Sequence, residues 1–457
     1  MSESAEIIGA MRRAVPAGRA RLNGDEASVL RDLTSALAKS RPEAIAEYER
    51  FRGIAKRRLC LPEAELAARL NGAAILVTGG TGCIGSTLMP QLTARHPARL
   101  VSVSRGITSG WPRQDDVEYR HADVTDRRAI GEALADVRPD IVFHVAAQRS
   151  PALAETEVHR TVSVNLLGAR NVLAAAAEAG TPQVVLASTG KALRPYSPEV
   201  YTASKRAAEW VAATTAATTG VTCSAARFTH VIDNSIVHQR LLSWAAAGAG
   251  QTAQAAMRLH GPDIAFYAQS ALESAQLLLI AMLGAAPGVF RLHAIKDLGW
   301  PVCLLDVALG VLASTGSQTP VYVSGYEPGY EEIPFPGLYD PATAGDVSPL
   351  LNAFEVAAAN CAPCPMTDSF SLDFAPDPAA PKLLDAIAEA CARTRAGDAI
   401  RRALDELSWT LLDATLAAAD PAALRRSAKL TSRFEDCMSP AHRRITRAIS
   451  AHAGQPH

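Results

Sequence analysis

The sequence predicts an α/β protein, a doubly wound parallel sheet with helices on both faces and helical extensions at either end. Three observations carry that expectation. Between residues 73 and 333, short apolar runs alternate with helical segments, the pattern of successive βα units joined by right-handed crossovers. The first run, Ala74-Ile75-Leu76-Val77, breaks into Thr78-Gly79-Gly80-Thr81-Gly82-Cys83-Ile84-Gly85 before a helical stretch from Ser86 to Ala94. A tyrosine and a lysine four residues apart, Tyr201 and Lys205, follow the fifth run.

The elements follow in order. Residues 1–70 read as helices: apolar positions recur at helical spacing over Ala27–Leu37, and Ser40 with Pro42 starts a further helix running through Ala55. Strands are expected at Ala74–Val77, Leu100–Ser104, Val117–His121, Ile141–Val145, Val184–Ser188 and Thr222–Phe228. Tyr326 to Pro341, dense in Pro, Gly and Tyr, reads as a loop. Beyond it, Pro349–Asn360, Lys382–Arg393, Asp398–Ala419 and Pro421–Leu430 read as helices. The expected partition is a helical N-terminal extension (1–70), a sheet domain with a small substrate lobe (71–333) and a helical C-terminal extension (334–457).

Composition narrows the function. At 457 residues and 48% hydrophobic, the chain has room for two or three domains and a large core. A formal charge of −1 gives a nucleic-acid partner no support. No apolar run reaches the ~20 residues a bilayer requires, and the start lacks the apolar core of a signal peptide. Eight scattered cysteines, with Cys361 and Cys364 alone forming CxxC, suit reduced thiols in a cytoplasmic protein.

The glycine stretch suits a Rossmann-type dinucleotide cradle. Gly79 permits the tight turn, Gly82 lets backbone approach a pyrophosphate, and Gly85 lets helix and strand pack closely; Cys83 and Ile84 lie between them. The second run ends in Ser104-Arg105 rather than an acidic residue. A guanidinium there pairs with a ribose 2′-phosphate, which favours NADP over NAD. Asp123 and Val124 close the third strand beside the adenine, Ala146 and Ala147 leave room for cofactor after the fourth, and Asn165 falls on a helix behind the site.

Tyr201 and Lys205 share one helix face. A lysine near a phenol lowers its pKa and can hold the cofactor ribose, and the phenolate accepts a carbinol proton. Thr189, ending the fifth strand, is placed to hydrogen-bond the reacting hydroxyl.

With these residues in place the chain resembles the extended short-chain dehydrogenase/reductases, and within them the polysaccharide-biosynthesis branch of UDP-N-acetylglucosamine 4,6-dehydratases. The likeness spans roughly residues 60–333, through Leu70-Asn71-Gly72, His144–Ala147, Pro151, Asn165–Asn171, Ser188-Thr189-Gly190-Lys191-Ala192, Pro195 and Tyr201–Arg206. Neither terminal extension shares it. The resemblance implies oxidation at C4 of a sugar, removal of the C5 proton by Lys191, loss of water across C5–C6 and return of hydride. The family's leaving-group Asp is replaced by Gly190. Phe266 and Glu327 stand where arginines usually hold the diphosphate, leaving Arg149 or Arg240 to serve; Arg149, His230 and Asn234 are the candidate substrate contacts.

Three readings follow. The first is an NADP-dependent sugar-modifying dehydratase or epimerase working through transient oxidation by Tyr201 and Lys205, its substrate a sugar, in the first place a nucleotide sugar. The second is a net NADP-dependent oxidoreductase on a non-nucleotide polyol or ketone. The third is a non-catalytic cofactor-binding partner protein. In each a homo-oligomer is expected, with no metal.

Overall fold

The computed structural model describes residues 2–106, 113–233, 236–249, 256–326, 347–356, 360–361, 363–432 and 439–454. The chain forms two compact units. One comprises residues 1–58, 229–271 and 298–328; the other comprises 59–228, 272–297 and 329–457.

The larger unit is built on a nine-stranded sheet. β1 (Ala74–Thr78), β2 (Arg99–Ser104), β3 (Glu118–His121), β4 (Ile141–His144), β5 (Gln183–Thr189) and β6 (Thr222–Phe228) match the six expected runs. Across the sheet the order is Asn360–Cys361, Thr367–Ser371, Arg291–Ile295, β6, β5, β4, β1, β2, β3. All neighbours from Arg291–Ile295 to β3 run parallel, and the last two strands add antiparallel to that edge. Strand order reverses between β1 and β4, which makes the crevice beyond their carboxyl ends the natural ligand site. Register sets the depth of that crevice: Thr78 lies level with His144, and His144 with Leu186, so β5 runs three residues further to Thr189.

β1 and β4 are apolar and buried because helices cover both faces. The helix Val200–Thr218 carries Tyr201 and Lys205, and every residue from Thr202 to Ala212 is buried. It is covered by the helix Gly397–Ala418, whose Leu404, Leu407 and Leu411 join Ala203, Ala207 and Ala208 in one core.

The smaller unit packs the helices Glu3–Ala14, Gly24–Ser40 and Ala44–Ile54 with the helix Leu304–Thr315 and three two-stranded sheets. Asn23 and Glu26 cap Gly24–Ser40 reciprocally, each side chain taking the other's backbone N–H at 2.8–2.9 Å. Leu30, Leu37 and Phe51 bury with Val307, Leu309 and Val311. Gly310 is where two helices pass, since any side chain there would strike Tyr48 and the Ala44 carbonyl.

Two sequence expectations need correction. The linear division at 70 and 333 does not follow the compact units, because residues 1–58 bury their apolar faces with 229–271 and 298–328, while the C-terminal helices bury theirs on the sheet unit. The C-terminal extension is also not wholly helical. Where Pro349–Asn360 is expected as helix, residues 349–356 form turns and Asn360 opens the strand Asn360–Cys361. Asn352 explains why: its side-chain carbonyl accepts the N–H groups of Phe354 and Glu355, both at 2.9 Å, an alternative that competes with helix. The expected helices from Lys382, Asp398 and Pro421 are present at Ala379–Arg393, Gly397–Ala418 and Pro421–Thr431, followed by Pro440–His452. Among the described residues no helix is long and apolar enough to cross a membrane.

Candidate active site

The glycine turn is shaped by its own backbone. Gly79 has φ +76°, which favours glycine, and its N–H donates to the Val103 carbonyl at 2.8 Å. A Cβ on Gly79 would lie 2.7 Å from the Ala146 nitrogen, so the turn and the end of β4 touch backbone to backbone. A Cβ on Gly85 would strike the Gly79 carbonyl and come within 2.7 Å of Gly80 Cα. Gly82 is less confined; a Cβ there would stand 3.2 Å from the Gly79 oxygen. No side chain caps the helix Gly85–Thr93, whose N-cap is Ile84. Cys83 beside it is partly buried and is not in a disulfide. An uncapped helix start behind a turn that only glycine can make suits a pyrophosphate.

Ser104 donates to the Gly106 carbonyl at 3.1 Å, and Arg105, half exposed, approaches Asp123 at 3.9 Å. Asp123 also accepts from the backbone N–H and the hydroxyl of Thr125, both at 2.9 Å. Val124 packs where Gly168 leaves space, 2.8 Å from the place a Cβ would take. Ala146 and Ala147 are partly buried in the loop after β4. Asn165 lies in a π-helical turn, Ser163–Leu167, a distortion common at functional sites. Its amide clamps Gln148, accepting the backbone N–H at 2.8 Å and donating to the carbonyl at 3.1 Å.

Tyr201 and Thr189 meet at the end of β5. Burial pushes the Tyr201 phenol up and its hydrogen bond with Thr189 draws it back. The sequence expectation that Lys205 would lower the phenol is replaced by this arrangement. Lys205 donates to the Ala187 carbonyl at 2.6 Å, and burial pushes its own pKa down to about 8, opposed by Glu209. Beneath them His144, hydrogen-bonded to the Thr78 hydroxyl at 2.8 Å, is pushed down to about 3 by burial and by the Lys205 charge, so it is neutral.

Lys191 donates to Glu199 at 3.2 Å. Glu199 is 1% exposed and also takes Arg194 at 3.3 Å and the Thr202 hydroxyl at 2.6 Å. Burial alone would raise its pKa; Lys191, Arg194 and Thr202 together hold it below the usual carboxylate value. Arg149 is exposed, and His230 belongs to the smaller unit, its ring 4.6 Å from that of Phe266 and pushed down to about 4 by burial. Asn234 and Glu327 lie outside the described residues.

Sequence reasoning missed a buried ionic quartet. Arg206 and Arg227 face Glu209 and Glu355, with Arg227 bound to Glu355 at 2.7 Å and to Glu209 at 2.9 Å. The Arg206 and Glu209 pair was readable as neighbours three apart on the Tyr201 helix. Glu355 carried no such signal. A separate cavity of about 700 Å³, lined by residues including Val200, Arg401, Trp409 and Arg444, contains neither Tyr201 nor the glycine turn.

Residues 75–247 match the NAD dependent epimerase/dehydratase family. The matched stretch is under half of the chain and carries its likeness to epimerases and dehydratases. The chain is 27% identical over 296 residues to the probable polysaccharide biosynthesis protein EpsC of Bacillus subtilis, covering 61% of this chain and 48% of that one. It is 32% identical over 145 residues to a UDP-N-acetylglucosamine 4,6-dehydratase (inverting) of Campylobacter jejuni, covering 30% and 42% respectively. The chain thus spans about half the length of the curated relatives it matches. In fold it is similar to Pen from Bacillus thuringiensis, with a TM-score of 0.54 and 18% identity over 66% of this chain and 89% of that one.

Proposed function

We propose that the protein is an NADP-dependent epimerase-type enzyme that transiently oxidises a carbinol of a nucleotide sugar and leaves the sugar's C6 oxygen in place. The observation that carries the reading is the partly buried Tyr201, its phenol hydrogen-bonded by Thr189 beyond the strand-order reversal, with Lys205 buried one helical turn on. The names of the relatives, among them a UDP-glucose 4-epimerase of Rickettsia bellii, support a nucleotide-sugar substrate.

The residues fit the cofactor: a turn closed to any side chain at Gly79 and Gly85, an uncapped helix start, and the Arg105 guanidinium at the end of β2 for a 2′-phosphate. When bound, the nicotinamide supplies the hydride acceptor. Tyr201 takes the carbinol proton. Thr189 donates to the phenolate oxygen and opposes part of the burial that holds the phenol above its ordinary pKa. Lys205, with its pKa near neutrality, can gain or lose a proton beside the ribose it would hold. Lys191 is the candidate base at C5.

Two features argue against loss of water. Gly190 offers no acid, and the space a side chain would need is taken by Leu350, whose Cδ2 lies 2.7 Å from the Cβ position. Glu199, the nearby carboxylate, is held ionised by two cations and so makes a poor proton donor to a departing hydroxide.

Incubation with UDP-glucose or UDP-N-acetylglucosamine and NADP in deuterated water tests the proposal. The expected result is an altered sugar that retains its C6 oxygen, with no net change in nicotinamide absorbance. A 4-keto-6-deoxy product would overturn the retention of C6 oxygen. A stoichiometric absorbance change would replace the epimerase with a net oxidoreductase.

A further inference from the structure

The turn after β5 alternates in what it touches. Thr189 and Lys191 reach Tyr201 and Glu199. The residues between and beyond them are fastened from elsewhere. The Ser188 hydroxyl donates to Glu209 at 2.5 Å. Gly190 lies under Leu350. The Ala192 carbonyl accepts from Arg227 at 3.4 Å and Arg206 at 3.5 Å, and the Leu193 carbonyl accepts from Asn352 at 2.8 Å.

Two of these contacts, from Leu350 and Asn352, come from one short segment, Ser348–Glu355, whose last residue lies 128 residues beyond Arg227. Ser348 anchors it to the sheet edge, its N–H donating to Asp368 at 2.6 Å. The Leu350 carbonyl accepts from Arg227 at 3.2 Å. Glu355 receives both terminal nitrogens of Arg227, at 2.7 and 3.0 Å, and Arg206 at 3.3 Å. All four members of the quartet are nearly inaccessible, with Arg227 0% exposed. Two guanidiniums and two carboxylates make a neutral set. Without Glu355 one buried cation would be left uncompensated, a situation far more costly than the loss of one surface ion pair.

We infer that Ser348–Glu355 is a strap that positions the Ser188–Leu193 turn, with Glu355 as a positioning residue that sets Thr189 against Tyr201 by neutralising Arg206 and Arg227. This rests on the proposed reaction site. The strap touches one side of the turn and leaves the other to Tyr201 and Glu199. Its removal should therefore disturb the geometry of proton transfer and leave the glycine turn unaffected.

The test uses the full chain with Glu355→Gln, Glu355→Asp and Asn352→Ala. Asn352→Ala removes three neutral hydrogen bonds, with Leu193, Phe354 and Glu355, leaves the ionic quartet intact and serves if Glu355→Gln does not fold. Hydrogen exchange is followed in the peptides covering 188–194 and 76–86, NADPH binding by its fluorescence, and turnover with UDP-glucose and UDP-N-acetylglucosamine. Glu355→Gln is expected to speed exchange in 188–194 by about tenfold or more. Exchange in 76–86 and the NADPH dissociation constant should stay within about twofold of wild type. Asn352→Ala should give a smaller change in the same place, and Glu355→Asp should recover part of the loss. Where either sugar turns over, kcat should fall with KM nearly unchanged. Folded variants whose 188–194 exchange is unaltered, or equally accelerated in both peptides, would overturn the strap. Exchange and NADPH binding need no sugar. A wild-type protein that turns over neither sugar therefore counts against the proposed function alone, and the strap is then decided by exchange.

Discussion

The glycine turn after β1 and the catalytic turn after β5 stand on the same sheet and are held in opposite ways. At the first, the obstacles around Gly79 and Gly85 are backbone atoms, those at Gly85 from the turn itself and those at Gly79 from residues 145–146 just after β4. At the second, the obstacle beside Gly190 is the far end of Leu350, and the bonds to Ala192 and Leu193 come from Arg206, Arg227 and Asn352. One turn is closed by backbone, its own and that of the neighbouring strand ends. The other depends on partners distant in the chain, whose contribution exists only once the whole unit has folded.

The largest effect that sharpens this comparison is at the chemistry. Tyr201→Phe is expected to lower turnover about 10²–10⁴-fold, the usual range for a lost general acid–base group, while NADPH binding changes little. Turnover at the wild-type rate would remove the phenol from the mechanism. Next come the glycines. Gly85→Ala drives a methyl into backbone and should cost about 1–3 kcal/mol of stability, with weakened NADPH binding. Gly190→Ala meets only a leucine methyl and should cost less, and adding Leu350→Ala should relieve that cost. Equal losses at the two glycines in thermal or urea unfolding would break the contrast.

Acid should act on the glycine-turn side as well. His144 has its pKa pushed from 6.5 to about 3 by burial. The folded state therefore binds fewer protons than the unfolded one within that interval. Stability is intact above pH 6.5 and falls as pH drops towards 3, by at most about 1.4 kcal/mol per pH unit for this group. His293 and His230, pushed to about 3 and about 4, contribute in the same direction. In urea unfolding between pH 6.5 and 4, His144→Gln should flatten the slope, and an unchanged slope would show that the imidazole is not buried in its neutral form. The smallest effect is at the cofactor's edge. Arg105 is half exposed and meets Asp123 only at 3.9 Å, so Arg105→Ala should weaken NADP by about tenfold with little change for NAD, the scale of one charge-assisted bond. Equal weakening of both would set aside the 2′-phosphate role.

What could be read from the sequence follows the same division. All six strands and the glycine turn were legible because their causes lie within a few residues: apolar runs, glycines, a helix start. Tyr201, Lys205 and Thr189 were legible as spacing, and the structure brings Tyr201 and Thr189 together. Hidden were the environments. Nothing in Tyr201-Thr-Ala-Ser-Lys205 foretells that Lys205 bonds Ala187 or that Thr189 is the phenol's partner. The stretch from Pro349 reads as helix by periodicity, yet Asn352 turns its amide on the backbone and Glu355 is drawn to two arginines far upstream. Burial of a charge depends on what closes over it, and the closing segment is remote.

The reach of that closure has a consequence for how the chain is made. Arg227 leaves the ribosome 128 residues before Glu355, an interval of about 6–26 s at ordinary rates of synthesis. Over that time two guanidiniums share a single carboxylate, and the sheet edge that Thr367–Ser371 will occupy is unpaired. The nascent chain can settle its glycine turn early. Its turn after β5 must wait for the Ser348–Glu355 segment, which makes Glu355 a checkpoint on translation past that segment as well as a side chain beside a candidate site.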